Sequence, residues 1–218
     1  MEKLDFLTLI SWIMFIILII GIIIGVFKIF ESSKPRVENL VLIAILVAIS
    51  VMGTIPTAAL PGVQAASFII IMTGIIFGRE TGFITGVLTA LVMDMFLGLG
   101  YWTVFQMIGW GLMGLTAGIF SSRLENIYLR GAFGFIWGFF YGWITDISML
   151  AFLNTVNLNS VLGVFAVSAP FDLIHGITNL ILLVLLYGIF KRIFTRARDK
   201  FVFPTRQNSA TNKKSLDK

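Results

Sequence analysis

The sequence contains no cysteine, one histidine and few charged residues. Without cysteine there is no disulfide framework, no thiol nucleophile and no thiolate metal site. A lone histidine does not form the paired-histidine motif of catalytic zinc sites, so we expect no metal. Charged residues make up 12% of the 218 positions, hydrophobic residues make up 58%, and the mean hydropathy is +0.98. This composition excludes a water-soluble domain and predicts an integral membrane protein.

Apolar runs between charge clusters and Gly/Pro breaks predict seven membrane helices. They lie at approximately 7–28, 38–56, 65–79, 81–98, 103–121, 130–153 and 169–191. The third is short for a span, so it is either a tilted helix or a re-entrant segment. Every Lys and Arg except Lys3 lies at or beside one set of alternate loops or in the C-terminal tail. This asymmetry predicts an outside N-terminus and a cytoplasmic tail in the cell membrane, and it explains the net charge of +5 without a nucleic-acid partner.

The loops on the opposite face contain no charge. They lie near 57–64, 99–102 and 154–168 and are rich in Pro, Gly, Asn and aromatic residues. They either fold over a ligand or are short uncharged turns. We divide the chain into an extra N-terminal transmembrane helix at 1–30, a six-helix membrane core at 31–193 and a basic tail at 194–218. The tail has no apolar periodicity, which predicts disorder. Its basic charge favours contact with anionic lipid.

Two stripes of small residues, each ending in an aspartate, run along predicted spans at helical spacing. They are Gly82, Gly86, Ala90 and Asp94, and Gly134, Gly138, Gly142 and Asp146. Small residues let helix backbones approach closely in lipid. A carboxylate inside a span is costly and usually faces the bundle interior or a wet cavity. Asp94 and Asp146 are therefore candidate functional residues.

The last predicted span carries a polar stripe of Asp172, His175 and Asn179. Ser168 suits the helix N-cap and Pro170 the first turn, so Asp172 is also explained by the positive end of the helix dipole. We interpret the stripe as a buried Asp–His hydrogen bond that orients a ligand contact.

The loop between the fourth and fifth spans is another candidate ligand contact. Paired glycines at 98 and 100 free its backbone, Tyr101 and Trp102 offer flat amphipathic rings, and Gln106 both donates and accepts hydrogen bonds. An aromatic belt at the membrane interface explains the two rings equally well, but explains Gln106 less well. A further stripe of Trp137, Tyr141, Thr145 and Ser148 either lines a cavity or packs.

From Val37 to about Lys191 the chain resembles the substrate-specific S components of energy-coupling factor (ECF) vitamin transporters. The resemblance rests on three segments: Ala44 and Ala48 in an Ala-x-x-x-Ala pattern, Ile55-Pro56 followed by Leu60-Pro61-Gly62-Val63-Gln64, and Phe77-Gly78-Arg79-Glu80-Thr81-Gly82-Phe83 before a Gly/Ala-rich helix. The stretch from Pro61 to Gly118 is most similar to the branch predicted to carry cobalamin. The implied fold is an all-α integral membrane protein, with a six-helix S-component-like core and one extra N-terminal transmembrane helix.

The resemblance implies a non-enzymatic subunit that captures a vitamin outside, cobalamin in the most similar branch, and delivers it inward. A coupling membrane protein and two ATPase subunits would be its partners and would hydrolyse the ATP, so this chain needs no cofactor. Ala44 and Ala48 would be the docking contacts. The proposed substrate-binding residues are Gln64, Asp94, Tyr101, Trp102, Gln106, Asp146, Asp172, His175 and Asn179.

Three alternatives remain at the level of sequence. The first is a membrane enzyme that uses Asp146, Asp172 and His175 for acid/base chemistry. The second is a stand-alone secondary transporter whose carboxylates couple to protons. The third is an assembly subunit whose polar groups only fasten helices together. The sequence has no phosphate-binding GxxxxGK[ST] motif and no Gly-x-Ser-x-Gly elbow.

Overall fold

The computed structural model describes residues 6–32, 35–150, 153 and 156–202. This part of the chain is helical and contains no β-strand. Its α-helices are α1 (Phe6–Ser32), α2 (Val37–Thr54), α3 (Ala65–Phe77), α4 (Arg79–Leu97), α5 (Trp102–Ile119), α6 (Ile127–Leu150), α7 (Leu158–Leu185) and α8 (Tyr187–Ala197). Among the described helices, α2 with the 3₁₀ turn that follows it, α4 and α7 are each long and apolar enough to cross a membrane. The prediction of an all-α, multi-pass membrane protein is confirmed.

The short third helix is the centre of the bundle. Every residue of α3 from Ala66 to Phe77 is buried, and α3 contacts α2, α4, α5, α7 and α8. Neighbouring helices, rather than lipid, therefore surround its 13 residues.

Glycines bring the backbones of α4 and α5 into direct contact. A Cβ atom added to Gly114 would overlap the carbonyl oxygen of Gly82, and one added to Gly86 would overlap that of Trp110. Gly74 of α3 meets the Gly114 carbonyl in the same way. The first predicted small-residue stripe therefore joins three helices, as close packing of small residues in lipid requires.

The second predicted stripe joins α6 to α7. A Cβ atom on Gly138 would overlap the backbone of Gly176, and one on Gly134 would overlap the side chain of Leu183. Asn179 adds a side-chain hydrogen bond to the Gly134 carbonyl at 3.1 Å. Helix packing thus accounts for the amide nitrogen of Asn179, while its buried Oδ1 has no hydrogen-bond partner among the described residues.

The prediction for the start of the last core helix is wrong. α7 begins at Leu158, where Asn157 and Ser160 form a reciprocal capping box with N···O distances of 2.8 and 2.9 Å. Ser168 is therefore inside the helix and not its N-cap, and Pro170 is an interior proline. Membrane helices tolerate such prolines. Asp172 consequently lies far from the positive helix end, and most of the predicted loop at 154–168 is helical.

The two ends of the chain extend the core. α1 contacts α4 and α5, with Ile19 buried; residues 1–5 lie outside the described part. α8 continues across the predicted tail boundary at 193, and a π-helical turn follows at Arg198–Val202. Predicted disorder at 203–218 falls outside the described residues.

We predict that Gly114→Ala destabilises the bundle, because its new methyl group has no space against Gly82. Overpacking of this kind costs about 1–3 kcal/mol. Gly25→Ala in α1 is the matched control, because no atom lies within 4 Å of the position its Cβ would take. Thermal unfolding in detergent should show a lower midpoint for Gly114→Ala only. Equal midpoints for both variants would contradict the assigned helix contact.

Candidate functional site

A cavity lies under the loop that connects α2 to α3, at the uncharged end of the bundle. Its empty volume is about 480 Å³ when the open solvent at its mouth is included. The loop side is formed by Ala58 and by 60–64, and the helix side by α2, α4, α5 and α6. Gly62 has φ +83°, and a Cβ there would meet the Phe171 carbonyl oxygen of α7. The loop therefore lies against α7 with its backbone.

Asp94 is the charged group of this cavity. It is 4% exposed, and its Oδ2 accepts a hydrogen bond of 2.5 Å from the Thr103 hydroxyl. The Gly100 N–H in turn donates to Thr103 Oγ1 at 3.2 Å. Among the described residues that line the cavity there is no Lys, Arg or His. The carboxylate is thus oriented by a hydroxyl group and lacks a counter-charge within this lining.

Aromatic rings form the inner wall. Trp110 and Tyr141, from α5 and α6, are stacked with ring centroids 4.9 Å apart and planes 29° apart. Both line the cavity. The Tyr141 hydroxyl and Gln64 Oε1 are buried, and neither has a hydrogen-bond partner among the described residues. Buried polar atoms normally have partners, so these two are groups that a bound molecule can satisfy.

Ser67 supports the Trp110–Tyr141 pair on the side away from the cavity. Ser67 Oγ accepts a hydrogen bond of 2.9 Å from Trp110 Nε1 and lies 2.7 Å from His175 Nε2. All three side chains are buried. The His175 ring also meets Tyr141 edge-on at 5.2 Å. His175 therefore supports the Trp110–Tyr141 pair and joins α3, α5, α6 and α7.

The structure brings together only some of the predicted site residues. Gln64, Asp94 and Gln106 line the cavity, and His175 lies one side chain behind it. Tyr101 and Trp102 are 42% and 37% exposed, pack edge-on against each other at 5.0 Å, and are not among the lining residues.

Asp146 and Asp172 form a separate pair between α6 and α7. Ser168 Oγ donates to Asp146 Oδ2 at 2.5 Å and lies 3.3 Å from Asp172 Oδ2. Gly142 leaves the space that the Asp172 carboxylate occupies. Asp146 borders a second, mostly apolar cavity of about 810 Å³, which also touches Phe171. The expected Asp–His bond is wrong: His175 bonds Ser67, and Asp172 faces Ser168. The three-residue acid/base group of the enzyme alternative is therefore not assembled.

Sequence reasoning missed Ser67, Trp110 and Thr103. Trp110 follows Gln106 by one helical turn, and Ser67 follows Gln64 by three residues. Such spacing places each on the same side as a candidate residue. A tryptophan in the middle of a span also needs a partner for its N–H group, which was an available signal.

A second surface carries the predicted docking residues. Ala44 and Ala48 are exposed and lie on α2 beside the buried face that includes Ile43, Leu46 and Val47. Small residues on an exposed membrane face leave room for a partner helix to approach. The docking role of Ala44 and Ala48 stays a prediction.

We predict that Ser67→Ala lowers the thermal midpoint, because it leaves Trp110 Nε1 and the histidine nitrogen without a partner. Each buried unsatisfied group costs about 1–3 kcal/mol. Ser50→Ala is the matched control: Ser50 is also fully buried, but its hydroxyl only bonds the Leu46 carbonyl one turn away. Equal losses in both variants would show that the Ser67 bridge contributes nothing beyond a local bond.

Comparison with known proteins identifies the family. A sequence model described as the ECF-type riboflavin transporter S component matches residues 32–192, which cover α2 to α7 and the start of α8. Neither curated proteins nor solved structures yielded a match. The match leaves α1 outside, in agreement with the resemblance recognised in the sequence. Because the matched region is most of the chain, the protein belongs to the S components of ECF-type transporters described by this family.

Proposed function

We propose that this S component binds a flat, uncharged vitamin in the cavity under the 57–64 loop, with riboflavin as the first candidate. The observation that carries the proposal is a buried carboxylate, Asp94, without a cation in the cavity lining. Such a group repels anions and favours a ligand that brings hydrogen-bond donors. Membership of a family described as riboflavin transporter components supports the same ligand class.

The chemistry of a flavin fits the polar groups available. Its ring system carries an imide N–H between two carbonyl groups. Asp94 is an acceptor for the N–H, the amide group of Gln106 supplies donors for carbonyl oxygens, and the buried Gln64 Oε1 can accept from a ligand hydroxyl group. The Trp110–Tyr141 pair offers an aromatic surface for a planar ring, and the free Tyr141 hydroxyl can bond a ligand hydroxyl.

The cobalamin assignment is the less favoured form of this proposal. A corrinoid is several times larger than a flavin, and a cavity of about 480 Å³ does not enclose one without a large displacement of the loop. The packing of Gly62 against α7 opposes such a displacement. Cobalamin binding is therefore an outcome that the experiment below tests directly.

Transport requires partners. S components work with an ECF module of membrane and ATPase subunits. We propose one coupling membrane protein and two ATPase subunits, which hydrolyse the ATP, so this chain carries no cofactor of its own. The vitamin enters from the outside of the cell membrane, where the uncharged loops lie in the charge-derived topology. Ala44 and Ala48 are the proposed contacts with the coupling protein.

The first prediction of this proposal concerns the ligand. Purified protein should quench the fluorescence of added riboflavin, and Asp94→Asn should weaken binding about tenfold, because it replaces a charge-assisted hydrogen bond by a neutral one. Asp146→Asn is the comparison variant, since it changes a buried carboxylate that is likewise bonded to one hydroxyl group. It should bind riboflavin normally.

Loss of binding in Asp146→Asn but not in Asp94→Asn would move the site to the α6–α7 cavity. Binding of cobalamin in place of riboflavin would refute the flavin assignment and leave the S-component assignment intact.

The second prediction concerns coupling. Ala44→Trp should abolish ATP-dependent uptake in cells that contain the ECF module and leave riboflavin affinity unchanged, because the bulky ring blocks helix approach. Ala132→Trp, at an exposed alanine of α6, is the control. Uptake unchanged in Ala44→Trp, or lost equally in both variants, would remove the docking assignment.

A further inference from the structure

The end of the bundle opposite the cavity carries an apolar stripe beside unpaired cations. Leu185, Ile189 and Ile193 are 68%, 56% and 54% exposed and follow one another at four-residue spacing. The stripe therefore runs from the end of α7 along α8 on one side. Apolar side chains exposed in this way at the end of a membrane helix are suited to contact with lipid chains rather than with water.

Arg192 and Arg196 lie on the same side of α8, one turn apart. Both are exposed, and neither forms an ion pair with a described residue. Arg192 lies beside Ile193 and Arg196 lies one turn further along α8, so the far end of the stripe combines apolar side chains with two guanidinium groups. This polarity matches a phospholipid, which has apolar chains at one end and an anion at the other. Arginine suits this anion well, because its planar fork bonds phosphate oxygens in pairs.

Other cations of this region are already engaged. Lys191 Nζ lies 2.5 Å from Glu125 Oε2, and this hydrogen bond is the main reason that the pKa of Glu125 is lowered. Arg198 lies 3.1 Å from an Asp199 oxygen. Because Glu125 stays ionised, Lys191 remains paired, and the net positive charge of the exposed face comes from Arg192 and Arg196.

Contacts on the buried side of α8 determine the direction in which its exposed face points. Phe194 is buried and packs against Phe77 of α3 with ring centroids 5.6 Å apart. The Arg130 guanidinium lies 3.6 Å from the centroid of the Tyr187 ring, and Arg130 Nε donates to the Leu183 carbonyl at 3.1 Å. The Leu183 carbonyl is thereby hydrogen-bonded near the end of α7, just before α8 begins. Rotation of α8 would break these contacts, so the arginines stay on the outer side.

We propose that the exposed face of α8 is a binding site for one anionic phospholipid, whose chains lie along Leu185, Ile189 and Ile193 and whose phosphodiester is bound by Arg192 and Arg196. The site is independent of the vitamin cavity, which lies at the other end of the bundle. The bound lipid fixes the depth of α8 at the membrane surface. A zwitterionic lipid binds more weakly, because its headgroup carries a cation that the arginines repel.

The test is native mass spectrometry of the delipidated full-length protein in detergent, titrated with phosphatidylglycerol and with phosphatidylcholine of the same chains. The wild type should prefer phosphatidylglycerol. Arg192→Gln combined with Arg196→Gln should weaken phosphatidylglycerol binding by about thirty-fold, since each basic residue near an anionic surface contributes roughly fivefold.

The matched control is Arg36→Gln combined with Arg79→Gln. It removes the same charge from two exposed arginines that each face a neighbouring glutamate, at 3.5 and 3.8 Å, and it should keep the preference. Arg192→Lys combined with Arg196→Lys retains the charge without the fork and should show an intermediate loss. Equal affinity for the two lipids, equal losses in test and control variants, or displacement of the lipid by inorganic phosphate at equal concentration would overturn the proposal.

Discussion

Direct backbone contact between helices is the constraint on which this molecule depends. Lipid provides no hydrophobic force that would drive apolar helices together, so close packing must hold them. Gly82, Gly86 and Gly114 bring α4 against α5, and Gly138 and Gly176 bring α6 against α7. Each contact leaves no room for a single methyl group. The close helix spacing also sets the positions of Asp94 and Asp146, the polar side chains at the ends of the glycine stripes.

The contacts also decide which polar groups face the cavity under the 57–64 loop. On α4 the glycine stripe ends at Asp94, which opens into the cavity beside Trp110 and Tyr141. On α6 the stripe ends at Asp146, which faces Ser168 of α7 instead. Two stripes that look equivalent therefore have different consequences: Asp94 lies under the 57–64 loop beside two aromatic rings, whereas Asp146 bonds a serine of the neighbouring helix at the edge of the second cavity.

Most of the helical architecture could be predicted from the sequence, because apolar runs, charge clusters and small-residue spacing are local signals. The start of α7 could not, since Ser168 and Pro170 resemble a helix start while the Asn157–Ser160 capping box lies eleven residues earlier. The continuation of α8 beyond 193 follows from the packing of Phe194 on α3, which no local pattern reveals.

The candidate site was predictable in part for the same reason. Gln64, Asp94 and Gln106 lie near the uncharged loops, so the topology alone places them at one end of the bundle. The Ser67 bridge joins residues 43 and 108 positions away in the chain, and sequence spacing says nothing about such pairs. The separation of Asp172 from His175 likewise depends on what packs against each side chain, Ser168 in one case and Ser67 in the other.

The most direct test of this account is an experimental structure of the purified protein with riboflavin. The account predicts density for a planar ring between the 57–64 loop and the Trp110–Tyr141 pair, with Asp94 within hydrogen-bond distance of the imide nitrogen. Density in the α6–α7 cavity beside Asp146, or an empty loop cavity at saturating riboflavin, would contradict it.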